Sequence, residues 1–463
     1  MRSVTERIVV IGGDAAGMSA ASQALRTAKH NGRELSVVVL ERGAWTSYSA
    51  CGIPYWVAGD VDSADRLIAR TPEQHRANGI DLRMGVEATE IDLGARVIQV
   101  RDTANGATRP VPYDQLVVAT GSLPIRPDLP GAFADGIHGL QTLDDGKALL
   151  DTLTSSRRLE RAVVVGAGYI GIEVAEACQR RGLATTVVDM ASQPMTTLDP
   201  DMGALVRDEM EKLGIDLRTD TAVEGFEVGD DGWVSGVVTA DETLPADVVV
   251  LGIGVRPNTR LARDAGLPTG ATGGLQTDRR QAVVGHDGVW AAGDCVESFH
   301  RVSERPVVIA LGTHANKQGR VLGVNLAGGY DTFPGVVGTA ITKVHDLEIA
   351  RTGLAVDEAR DAGFDVAVGS VESTTTSGYM PGASLMTVKV VAERGSARML
   401  GAQIVGAGPG SAKRIDACAL AVWNEMRADE LAMADLSYAP PFSPVWDPVQ
   451  IAGRRAADAA RRG

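Results

Sequence analysis

The chain has 463 residues, which is enough for about three domains of ordinary size. Hydrophobic residues make up 44% and charged residues 22%, a soluble globular composition, and the net charge of −14 argues against a nucleic-acid partner. No apolar run reaches the ~18 residues of a membrane span, and Met1–Arg7 lead straight into a strand, so a cytoplasmic enzyme without secretion signal or membrane contact is expected.

The first apolar run, Arg7–Ile11, reads as a strand that stops at Gly12-Gly13-Asp14-Ala15-Ala16-Gly17, and Met18–Ala28 reads as an Ala-rich helix. Strand, glycine-rich turn and helix together form a dinucleotide fingerprint, in which a pyrophosphate faces the helix N-terminus. A second strand, Leu35–Leu40, ends in Glu41 and is followed by Arg42. An acid at that place accepts hydrogen bonds from a ribose. Taken alone, the motif also suits a ligand-free turn, and its middle glycine is replaced by Asp14. That carboxylate would repel phosphate unless it turns away to cap the helix.

Ser47-Tyr48-Ser49-Ala50-Cys51-Gly52-Ile53-Pro54-Tyr55 follows, with one cysteine among small neighbours. Cys51 reads as a redox thiol placed under a flavin. Gly52 and Pro54 suit a helix start, where a thiol pKa is lowered. A helix over Thr71–Asn78 begins at Pro72, and Asp81–Glu90 and Arg96–Arg101 alternate like hairpin strands. Tyr113–Thr120 reads as a strand ending Ala119-Thr120-Gly121, after which Pro124, Pro127 and Pro130 mark a crossing between domains.

A second fingerprint is complete: Ala162–Val165 runs into Gly166-Ala167-Gly168-Tyr169-Ile170-Gly171, then Glu173 and a helix. The next strand, Thr185–Val188, ends in Asp189. A carboxylate there binds the 2′-hydroxyl of NAD and repels the 2′-phosphate of NADP, and Met190-Ala191-Ser192 offers no cation, so NADH is expected rather than NADPH. Val248–Arg256, with Gly254, reads as the strand returning from this unit. Gly288–Asp294 is a strand ending in Gly293-Asp294 before a helix at Gly312–Leu326, and Asp294 can reach flavin ribityl or pyrophosphate oxygens. His314 in that helix reads as structural.

From Pro334 the pattern changes to strand-like runs (Val336–Val344, Leu347–Thr352, Leu385–Val391, Leu400–Gly406) and a helix at Ala412–Met426, a separate α+β unit. Arg454, Arg455, Arg461 and Arg462 read as a solvated basic tail. Cys51, Cys178, Cys295 and Cys418 lie far apart, so neither a zinc site nor an internal disulfide is expected; Cys178 and Cys418 sit in helical patterns as structural thiols.

In the order of these motifs the whole chain resembles the pyridine nucleotide-disulfide oxidoreductases. It looks like their single-cysteine branch of coenzyme A-disulfide reductases, persulfide reductases, NADH oxidases and NADH peroxidases. Ser47-x-x-x-Cys51-Gly52-x-Pro54-Tyr55, Gly378-Tyr379-x-Pro381-Gly382 and Tyr438-Ala439-Pro440-Pro441 carry the likeness. It implies an α/β fold with two Rossmann-like dinucleotide-binding domains, for FAD (1–145 and 261–334) and NAD (146–260), and a C-terminal α+β domain (335–463) that forms a homodimer. It implies that Cys51 is the redox cysteine, that Tyr379 and Tyr438 reach the partner subunit's active site, and that Ser22, Gln23, Arg26 and Ser47 contact coenzyme A. Met380 stands where the family often has a second tyrosine, Thr376 where a histidine is common, and Ala15 where oxidases and peroxidases usually place a histidine.

A single thiol cannot form an internal disulfide, so its oxidised form is a mixed disulfide, a persulfide or a sulfenic acid. The expected activity is NADH-dependent reduction, through FAD and Cys51, of a small disulfide, persulfide or polysulfide, with coenzyme A as the thiol. The alternatives are an NADH oxidase working through a Cys51 sulfenate, and a flavoprotein that donates electrons to a protein partner or senses NADH.

Overall fold

A computed structural model of the chain describes residues 5–462; Met1–Val4, the start of the expected direct run into the first strand, lie outside them. The first sheet is parallel, in the order Val289–Ala291, Gln115–Val118, Glu6–Ile11, Leu35–Glu41, Ile80–Met84. Its central strand carries the unbroken buried run Ile8–Ile11, as a strand covered on both faces requires. One face is covered by the helices Ala15–His30 and Gly312–Leu326, which pack closely because a Cβ at Gly319 or Gly323 would run into the carbonyls of Ala16 and Ala20. The start of the chain is thereby fixed to a segment some three hundred residues later.

The alternating segment Asp81–Glu90 is not one hairpin strand. It breaks at Gly85, whose φ of 67° turns the chain. Ile80–Met84 completes the parallel sheet. Val86–Asp92 leaves it for an antiparallel sheet with Val97–Asp102 and Thr108–Pro112.

The second sheet is also parallel, in the order Asp216–Arg218, Ala184–Val188, Arg161–Val165, Val248–Leu251, Ile137–Gly139. Ile137–Gly139 thus pairs with the second sheet although it precedes the boundary expected at 145/146. The short antiparallel ribbon Ser122–Pro124 with Val255–Pro257 joins the two units.

The third sheet is antiparallel, in the order Ala340–Val344, Leu347–Gly353, Met399–Ala407, Leu385–Glu393, Val366–Thr374. Val366–Thr374 has no counterpart in the sequence reading, and the helix expected over Ala412–Met426 is a 3-10 turn followed by Ile415–Trp423. The expected basic tail is instead the helix Pro448–Arg461. It starts at an Asp447–Gln450 capping box and buries Ala452, Ala456, Ala457 and Ala460 while the arginines face outward. Gly369 lets this helix touch the sheet, since a Cβ there would overlap the Ala456 backbone. Because the buried stripe is alanine, the mean hydropathy of this helix is low and its arginines stand out in the sequence.

Buried polar contacts bind this third unit to the second. Lys389 Nζ lies 2.8 Å from Asp199 and 2.7 Å from Asp201, and the Asp199 N–H donates to Gln403 over 2.8 Å. Arg351 donates to the Thr197 carbonyl over 2.6 Å. Both Lys389 and Asp199 are buried. Lys389→Met would leave Asp199 as an unpaired buried charge, at a cost of about 3–5 kcal/mol in stability. Chemical denaturation should show that loss, and Lys389→Met combined with Asp199→Asn should recover most of it.

Candidate active site

A single cleft of about 2850 Å³ runs between the three units, and both glycine-rich turns, the Cys51 segment and Asp294 open onto it. In the first turn Gly12 has φ 105°, and a Cβ on it would overlap the Ala119 carbonyl; one on Gly17 would overlap Gly12. In the second turn Gly166 (φ 104°) and Gly171 are constrained in the same way by the Gly252 and Gly166 carbonyls. A Cβ on Gly168, by contrast, would meet nothing within 4 Å. The first and third glycines therefore serve the protein's own packing. The middle one keeps the helix N-terminus open for a phosphate group to approach.

Each strand-end acid is tied to its own turn. Glu41 accepts from the N–H groups of Gly13 (2.8 Å) and Gly43 (2.7 Å). Asp189 accepts from those of Ala167 (2.6 Å) and Ala191 (2.8 Å). Asp294 accepts from the Ser122 hydroxyl (3.1 Å), which accepts from Gln141 (2.8 Å), and burial pushes its carboxyl pKa up. Arg42, Ala119, Thr120, Gly121, Tyr169, Ile170 and Gly254 also line the cleft. Ala16, Gly17, Gly171 and Gly293 lie behind it: Gly293 packs on Ala16 and its N–H donates to Gln318 over 2.8 Å. Asp14 does not cap the first helix as the sequence suggested, for its side chain makes no capping hydrogen bond.

Cys51 lines the cleft in a 3-10 turn, Ala50–Gly52, immediately ahead of the helix Ile53–Ala58. A Cβ at Gly52 would push against the Leu67 side chain. The expected lowering of the thiol pKa is not found. Partial burial first, and then the charge of Glu173, push it above the ordinary value. The following helix has only six residues, too short a dipole to offset both effects.

Glu173 stands where the three units meet. It accepts from Thr342 Oγ1 at 2.5 Å on the third sheet and from Tyr55 OH at 3.5 Å on the helix after Cys51. Burial raises its pKa as well. Ser47, at φ 50°, places its Oγ 2.9 Å from His75 Nε2, and burial, then Arg70, hold His75 below the usual imidazole pKa. Ser22 and Arg26 line the cleft as well. Gln23 does not; it accepts from Arg26 (2.9 Å) and donates to Thr27 (3.0 Å) along its own helix. His314 is turned away from the cleft, with a buried unpartnered Nδ1 and a pKa pushed down to about 4 by burial. The sequence did not single out His75 or Thr342, which reach the site by long-range packing.

Tyr379 and Tyr438 do not line the cleft of their own chain and are 76% and 48% exposed. Their loops lie side by side: the Ser377 N–H donates to the Pro440 carbonyl (2.9 Å), and Arg414 bridges the Thr375 and Phe442 carbonyls, each at 2.6 Å. Leu385, Phe442 and Val445 are exposed on the same domain. Cys178, Cys295 and Cys418 are buried free thiols, and among the described residues no group of His, Cys, Asp and Glu could hold a metal. No described helix is long and apolar enough to cross a membrane.

Removing the Glu173 charge should lower the Cys51 pKa. Alkylation of Cys51 by iodoacetamide, followed against pH by intact mass, should titrate above the ordinary thiol range in the native chain and at lower pH in Glu173→Gln.

The pyridine nucleotide-disulphide oxidoreductase family matches residues 6–319, and the dimerisation domain of the same family matches residues 339–448. An NAD(P)H coenzyme A polysulfide/persulfide reductase of Pyrococcus horikoshii is 35% identical over 98% of both chains. An NADH oxidase of Methanocaldococcus jannaschii is 34% identical over 97% of this chain and 98% of that one. The structure of a NAD-dependent persulfide reductase from A. fulgidus superposes with a TM-score of 0.92 at 37% identity, over 98% of this chain and 83% of that one. The two glycine turns with their clamping acids, the lone cleft thiol and these full-length matches lead to one conclusion: the chain belongs to the pyridine nucleotide-disulphide oxidoreductase family, an oxidoreductase that uses FAD and NAD(P)H.

Proposed function

We propose that the chain is an NADH-dependent reductase of a low-molecular-weight disulfide or persulfide, with coenzyme A as its thiol half. The observation that carries this reading is that Cys51 opens on the cleft while the other three cysteines are buried. A lone thiol must take its oxidised partner from outside the chain. The relatives named as polysulfide and persulfide reductases support that partner being a small sulfur compound.

In this reading the first turn with Glu41, Arg42 and Asp294 holds FAD, and the second turn with Asp189 holds the nicotinamide nucleotide. FAD supplies the two-electron path from NADH. Cys51 thiolate attacks the disulfide R–S–S–R′, forming Cys51–S–S–R and releasing R′–S⁻, which takes up a proton. Two electrons and a second proton then return Cys51 to thiolate and release R–SH. Ser22, Arg26 and Ser47 bind coenzyme A through their hydroxyls and the guanidinium cation, and Gln23 holds Arg26 in place. Tyr379 and Tyr438 of a second copy orient the bound thiol and supply its proton, which makes the homodimer the working unit. Asp189 favours NADH, because a 2′-phosphate would meet its carboxylate and the following Met190-Ala191-Ser192 offers no cation.

Intact-protein mass before and after NADH tests the main step. An adduct of coenzyme A mass on Cys51 that NADH removes is the expected result; a bare thiol, or one added oxygen, would point to oxidase chemistry instead. Cys51→Ser should abolish disulfide reduction while retaining the flavin absorbance. For the nucleotide, kcat/KM for NADH should exceed that for NADPH by about tenfold or more, and the reverse order would reject the role given to Asp189.

A further inference from the structure

The two glycine-rich turns differ at one position that faces ligand. At Gly168 the space before the helix is empty of protein, for a Cβ there would have no neighbour within 4 Å. The matching position of the first turn holds Asp14. Its backbone is extended (φ −119°, ψ −153°), as in an N-cap, yet its side chain makes no capping hydrogen bond. Oδ1 is buried without a hydrogen-bond partner, and Asp14 lines the cleft.

The charged groups that act on it are two more carboxylates, Glu41 at the end of the second strand and Asp294 after Val289–Ala291. The backbone N–H groups of Tyr48 and Ala15 are the neighbours that favour its ionised form, and the Tyr48 phenol stays neutral because burial raises its pKa. Burial and then the Glu41 and Asp294 charges outweigh those N–H groups and push the Asp14 carboxyl up to about 6. Both Glu41 oxygens accept backbone N–H groups, from Gly13 and Gly43. An anionic pyrophosphate bound at this turn would make a fourth negative group beside an ionised Asp14.

We propose that Asp14 meets the FAD phosphates as a neutral carboxylic acid, donating its proton in a hydrogen bond, so that each FAD is bound together with one proton. The equilibrium is Asp14–COO⁻ + H⁺ + FAD forming a complex that contains Asp14–COOH. Below the pKa of the free chain the acid is already protonated and affinity is independent of pH. Above it the dissociation constant of FAD rises with pH, by up to about tenfold per unit, until the pKa of the complex is passed. The residue is thus a positioning group for the cofactor and makes its retention pH-dependent.

The test is flavin release from diluted holoenzyme, read as the recovery of free FAD fluorescence across roughly pH 5.5–8.5, for the native chain, Asp14→Asn and Asp14→Gly. The native dissociation constant should rise by on the order of tenfold or more between about pH 6 and 8, and by less than about threefold in both variants. Asp14→Asn keeps the shape and a donor, so it should hold FAD more tightly than the native chain at the alkaline end. A flat native curve, or equal slopes in the native chain and Asp14→Asn, would overturn the proposal. Should a variant fail to fold, the native chain still decides: an indicator dye should report about one proton released per FAD lost near neutral pH, and no release would refute it.

Discussion

The constraint on which the rest depends is the contact between a glycine at the start of a helix and the carbonyl of the glycine that follows the preceding strand. Gly17 against Gly12, and Gly171 against Gly166, allow no side chain at all. That contact aims the helix N-terminus at the cleft, where unpaired N–H groups and the positive end of the helix can hold phosphate. Glu41 and Asp189 then fix each turn by accepting two backbone N–H groups apiece. The same backbone geometry, used twice, sets two open helix N-termini along one cleft, and the Ser122–Pro124 ribbon holds the two sheets in relation to each other.

Between these helix ends the thiol is governed by its surroundings rather than by its short helix. Glu173 belongs to the nucleotide unit, accepts from Thr342 of the third sheet and from Tyr55 on the helix after Cys51, and raises the thiol pKa through its charge. A change in how the third sheet sits on the second unit would be felt at Glu173 and so at Cys51. The buried pair of Lys389 with Asp199 keeps that placement fixed. Such a pair contributes little net stability but penalises any rearrangement that separates its members.

Much of this was legible in the chain. Both fingerprints, their acids Glu41 and Asp189, the Gly293-Asp294 segment and the lone Cys51 are local patterns, in which the chemistry needs given residue types at fixed spacing, and short-range order preserves that spacing. The strand and helix ends moved by a few residues. The larger misses, Val366–Thr374 and the helix Pro448–Arg461, share a cause. Small residues pack there against one another, Gly369 on Ala456, so the helix is amphipathic but low in mean hydropathy and the strand has a glycine where a large apolar residue would mark the core.

The sequence by itself determined the two dinucleotide units, the order of the units and the absence of a second thiol near the first, because each is written within a few tens of residues. Only the tertiary structure decided the state of the groups in the cleft. That Asp14 does not cap its helix, that the Cys51 thiol is raised rather than lowered and that Ser47 meets His75 follow from burial, charges and contacts brought in by other segments of the chain. Desolvation and Coulomb interactions act through space, so the same residues in the same order carry no sign of them until the chain is folded.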